Sequence, residues 1–108
     1  MNRVIAQEIL NGYGNPSVKV GDTNLVFARQ TAESLDAIEA KTDEALIDEW
    51  KGLVWINEIY GQVSLNDLQR IDLLELEITG RDSIDFEDLE SWYENETLKF
   101  NEGDFSDY

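Results

Sequence analysis

The chain is expected to fold as a small, mostly helical α+β domain of about four helices carrying an N-terminal β-hairpin. Three observations lead there. Apolar residues from Leu35 to Tyr93 recur mainly at three- and four-residue steps, the spacing of helices with one buried face. Two β-rich runs, Val18-Lys19-Val20 and Leu25-Val26-Phe27-Ala28, flank the polar turn Gly21-Asp22-Thr23-Asn24. A hydrophobic fraction of 42% over 108 residues, with three Trp, four Tyr and four Phe, suffices for one modest core and therefore one domain.

In chain order, Ile5, Ile9 and Leu10 favour a short helix at the start, and Asn11-Gly12-Tyr13-Gly14-Asn15-Pro16 is a cluster of turn formers. The hairpin follows and must lie on something else, because an isolated two-stranded ribbon is marginal in water. Residues 1–30 form this hairpin region. Leu35 and Ile38 then give a short amphipathic helix over about 32–41. Thr42 caps a longer one whose first turn carries Asp43 and Glu44, favourable at the positive end of the helix dipole. The run from Trp50 to Tyr60 is apolar on more than one face and reads as the central core helix, closed by Gly61. Ser64 and Asp67 match a capping box ahead of Leu65, Leu68, Ile71, Leu74 and Ile78, with Gly80 at the end. Asp85 opens a last helix with Phe86, Leu89, Trp92 and Tyr93 as its apolar stripe. The helical acidic region is thus 31–98, and the acidic tail 99–108 is expected to be extended or frayed.

Charge is the most informative property. There are 24 acids against 8 bases, a net of −16. Residues 1–30 hold two acids and three bases (net +1), so residues 31–108 hold 22 acids and five bases, a net of −17. Lys99 alone offsets ten acids between Asp82 and Asp107. A sequence shaped only by folding mixes in more Lys. Direct binding of nucleic acid or an anionic membrane requires Lys and Arg and is excluded as an expectation. No window approaches a membrane span, and Arg3, Gln7 and Glu8 interrupt any leader-like apolar run.

Cysteine and histidine are both absent. That removes thiol nucleophiles, disulfides, the usual neutral-pH base and the commonest transition-metal ligands. The expectation is a cytoplasmic protein that is not an enzyme and has no cofactor or metal. Two segments, Gly61–Asp67 and Asp82–Asp88, resemble the second half of a calcium loop. Counting back places Ile56, Tyr60 and Arg81 at ligand positions, so a capped helix start is the simpler explanation. The pair Gly12 and Gly14 lacks the third glycine of a phosphate loop, and Asn95-Glu96-Thr97 is a chance sequon.

The candidate binding residues are the carboxylates of two helices: Asp43, Glu44, Asp48 and Glu49 on one, and Asp82, Asp85, Glu87, Asp88, Glu90, Glu94 and Glu96 before and along the other. Tyr93 is added as an aromatic anchor. Like charges at three- and four-residue steps weaken a helix slightly, and they place Cβ atoms about 5–6 Å apart. That spacing is commensurate with phosphates, which follow at roughly 3.4 Å per strand. The expected function is an acidic inhibitor that imitates nucleic-acid charge and blocks a basic, nucleic-acid-binding protein such as a nuclease, CRISPR or restriction effector, or DNA-binding regulator. Size and charge are those of small anti-defence inhibitors of phages and plasmids, a class property and not a motif match. The alternatives are an immunity-type antitoxin capping a basic toxin, with Tyr93 and Phe100 as anchors, or a phage assembly or chaperone protein.

Overall fold

The computed structural model describes residues 1–12 and 32–102. They form five α-helices: α1 (Arg3–Gly12), α2 (Ala32–Glu39), α3 (Asp43–Val54), α4 (Leu65–Thr79) and α5 (Phe86–Glu102). A π-helical turn, Trp55–Ile59, continues α3. No strand occurs among the described residues, so the α+β class is corrected to all-α. The hairpin expected at 18–28 lies outside the described residues. Short β-rich runs are weak evidence for a fold class, because β-propensity reflects packing context more than backbone preference.

Local chemistry explains several of these boundaries. The Asn2 side chain accepts from the Val4 amide at 3.0 Å and starts α1. Thr42 Oγ1 accepts from the Ala45 amide at 3.2 Å, and Ser64 Oγ from the Asp67 amide at 3.4 Å, the two caps anticipated from sequence. Asp85 Oδ1 accepts from the Glu87 amide at 2.9 Å ahead of the first turn of α5. Gly61 ends the α3–π unit at φ +91°, a conformation that a residue with a Cβ adopts only under strain.

The helix at the centre of the fold is α4, where the apolar run Trp50–Tyr60 had pointed to its neighbour. α1, α2 and α3 all pack against α4, and its Leu73, Leu74 and Ile78 are fully buried. Ala6 of α1, Leu35 and Ile38 of α2, Leu46, Trp50 and Val54 of α3, and Leu89 of α5 complete the core. Gln69 is buried with them and donates to the carbonyls of Ile9 (3.4 Å) and Leu10 (3.2 Å), which satisfies two acceptors near the end of α1. The π turn extends the α3 unit far enough for Trp55 to stack on Tyr60, ring centroids 5.6 Å apart. Phe100 meets both rings edge-on at 6.1 Å. That contact explains why α5 runs four residues past Leu98, where an extended tail was expected.

Candidate binding groove and acidic faces

The six bases among the described residues are all engaged. Arg3 pairs with Asp36 and Glu39. Arg70 grips Glu49 with Nε at 2.7 Å and Nη2 at 3.0 Å, and Lys41 reaches the same carboxylate at 3.4 Å. Arg81 donates from Nε to Glu77 (2.8 Å), from Nη1 to Asp43 (2.9 Å) and from Nη2 to the Glu39 carbonyl (3.0 Å), tying the ends of α2, α3 and α4 together. Lys99 lies 3.7 Å from Glu96. Lys51 sits over the Trp92 ring, 5.3 Å from its centroid. The terminal amine of Met1 is held between Glu39 (2.7 Å) and Glu77 (3.2 Å).

These pairings divide the twelve residues picked out by sequence. Asp43, Glu49 and Glu96 are consumed inside the domain. Hydrogen bonds from Ser83 and Arg81 hold Asp43 below the usual carboxylate pKa. Glu49 also lies below it, because Arg70 and Lys41 together outweigh a burial that pushes the other way. Asp85 is committed to the start of α5. Glu44, Asp48, Asp82, Glu87, Asp88, Glu90 and Glu94 are exposed and make none of these ion pairs. Tyr93 is half-buried against the core instead of projecting as an anchor.

Glu90 and Glu94 face a groove that sequence alone did not reveal. It has a volume of about 330 Å³ and is lined by Trp50 and Val54 of α3, Glu58 of the π turn, Glu75 of α4, and Glu90, Tyr93 and Glu94 of α5. Burial, then Asp72, then Glu58, push the Glu75 carboxyl up to about 7. Glu58 is raised as well, by burial first and by Asp72 second. The Trp50 indole Nε1 is buried and has no acceptor in hydrogen-bonding geometry. It lies against the Glu75 carboxyl and acts on it in the opposite sense, lowering its pKa.

Glu58 and Glu75 escaped notice because each lies inside an apolar run, Glu58 within Val54–Tyr60 and Glu75, together with Glu77, within Leu73–Ile78. The available signal was that interruption: a carboxylate on a core-facing stretch is costly unless something compensates it. Among the described residues no three acids converge closely enough to hold a metal ion, and no helix is long and apolar enough to cross a membrane. Comparison with protein families, with curated proteins and with solved structures found no match.

Proposed function

We propose that this protein acts by binding, as an acidic inhibitor that occupies the cationic surface of a nucleic-acid-binding protein. The observation that carries this is the distribution of cations. Every described base is already engaged with a carboxylate or, for Lys51, an aromatic ring, which leaves the outer carboxylates of α5 and those of the groove uncompensated. Water and counterions screen that charge in the free protein, and a cationic partner surface can take their place. Glu87, Glu90 and Glu94 follow along one helix at steps of about 5–6 Å, a spacing that an Arg- or Lys-lined cleft built for phosphates accepts. Complementary fields accelerate encounter, and occupancy of the cleft excludes the nucleic acid. The anchor-led antitoxin reading has less support, since Tyr93 packs on the core and Phe100 on Trp55 and Tyr60.

The test is capture of partners from the source lysate on immobilised protein, eluted with salt and repeated with excess duplex DNA. A basic nucleic-acid-binding protein that moderate salt releases and DNA displaces supports the proposal. A partner indifferent to both salt and DNA overturns it.

A further inference from the structure

Every fourth residue along the α3 unit is exposed: Glu44, Asp48, Gly52, Ile56 and Tyr60. Steps of four keep side chains on one face of an α-helix, drifting by about 40° each time. The π turn, in which the Tyr60 amide donates to the Trp55 carbonyl at 2.8 Å, winds more slowly. Four residues fall short of one such turn, so Tyr60 is brought back toward the row.

The row changes character along its length. Glu44 and Asp48 form an acidic end, and neither has an ion-pair partner among the described residues. Lys41 and Lys51, the nearest bases in the chain, are turned to Glu49 and to the Trp92 ring. Ile56 and Tyr60, 43% and 55% exposed, form an apolar end. Val63, 63% exposed, follows at the Gly61 corner, where the Gln62 amide donates to the Ile56 carbonyl at 2.9 Å. Scattered apolar residues on a surface are ordinary, but three at one end of one helix face form a patch.

Gly52, between the two ends, is an independent feature. Glycine inside a helix weakens it relative to alanine. Folding does not call for glycine here, because its φ is not positive and an added Cβ would meet nothing within 4 Å. What a bare position supplies is close approach of another backbone. Helices pack through i±4 rows of this kind, at a separation set by the side chains at the contact.

We infer that the row from Glu44 to Tyr60 seats a helix of the partner, basic at one end and apolar at the other, with closest approach at Gly52. This rests on the proposed function for the basic character of the partner and adds a contact on a face separate from the carboxylates of α5. Lys or Arg at one end meets Glu44 and Asp48, and aliphatic side chains at the other cover Ile56, Tyr60 and Val63. The row spans roughly 24 Å, the length of about sixteen helical residues. A second copy of this chain does not fit. Aligned in the same direction, its acids face acids; reversed, Glu44 and Asp48 are buried against Ile56 and Tyr60 with no cation.

The experiment titrates the full chain with a fluorescent, alanine-based helical peptide of about eighteen residues. Its binding face carries lysine in one half and leucine in the other. One control peptide alternates lysine and leucine along that face, and a second has glutamate in place of lysine. The segregated peptide binds at least tenfold more tightly than either control, and the amide shifts it causes map to the row and Val63. E44K/D48K weakens binding at least tenfold and Ile56→Gln at least fivefold, while Glu8→Gln on α1 changes nothing. Gly52→Gln weakens binding at least fivefold and raises the unfolding midpoint, a combination that a purely structural role for Gly52 excludes. Equal affinity for the control peptides, shifts that map to α5 instead, indifference to E44K/D48K, or unchanged binding by Gly52→Gln each overturns the inference. DNA-competed capture from lysate without peptide binding removes only this helix seat. Peptide binding without such capture removes only the nucleic-acid mimicry.

Discussion

Asn57 Nδ2 donates to Asp67 Oδ2 at 3.0 Å, joining the π turn to the first turn of α4 across the Gly61 corner. The same Nδ2 donates to the Leu53 carbonyl at 2.8 Å, and Oδ1 accepts the Ser64 amide at 2.7 Å. One side chain, 2% exposed, therefore fixes the corner that sets how the α3 unit meets α4. Asn57→Ala leaves the Ser64 amide and the Leu53 carbonyl short of a partner. It is expected to lower stability by about 2 kcal/mol, measured as the urea unfolding midpoint at constant slope.

Glu75 makes stability fall with rising pH. Its folded pKa of about 7 exceeds the ordinary value of 4.5, so the folded state favours the protonated form. The stability this supplies is complete below pH 4.5 and is lost as pH rises through 7. Discounted for its partial exposure, the effect is about 1–2 kcal/mol. Asp43, Glu39 and Glu49 act in the opposite sense, because their lowered pKa values make stability fall as pH drops through the acid range. Maximum stability is thus expected at mildly acidic pH. Glu75→Gln flattens the decline between pH 5 and pH 8, which thermal unfolding at those two values measures.

Leu74 lies on α4, the helix against which α1, α2 and α3 all pack, and it is fully buried. Leu74→Ala is expected to cost about 2–5 kcal/mol through lost burial and the cavity left behind. The same change at exposed Leu98 has little effect on the unfolding midpoint.

Phe100 holds the end of α5 against Trp55 and Tyr60. Phe100→Ala removes both edge contacts, so amide exchange over Thr97–Glu102 accelerates while that of α4 is unchanged. Hydrogen exchange resolved by segment distinguishes this local fraying from global destabilisation.

A net charge of −16 opposes compaction. Raising salt shortens the range of that repulsion, so the melting temperature is expected to rise between low and moderate ionic strength. The triple variant E87K/E90K/E94K is then at least as stable as the parent at low salt. Loss of partner binding in that variant reports lost contacts and not lost folding.

Much of the helical layout is legible in the sequence because it is local. Thr42 and Ser64 cap their helices through a side chain and an amide three residues apart, and Gly61 ends a unit through its own backbone freedom. The apolar steps through Leu35, Ile38, Leu46, Leu74 and Leu89 identified core positions for the same reason: periodicity is a property of one helix at a time. The absence of cysteine and histidine, and the concentration of acids after residue 30, were likewise complete without coordinates.

Relations between helices were not legible. Which carboxylates remain outward depends on where Arg70 and Arg81 reach, 21 residues back to Glu49 and 38 back to Asp43. The groove joins Glu58, Glu75, Glu90 and Glu94 from three segments, and only the packing of α5 beside the α3 unit makes them neighbours. The centre of the fold moved from the Trp50–Tyr60 run to α4 because burial depends on how many helices surround a residue, not on its own hydrophobicity. Sequence by itself determined helix starts, core faces and the sign of the field. Tertiary structure decided which charges cancel and which converge, since Coulomb interactions depend on distances through space that chain order does not encode.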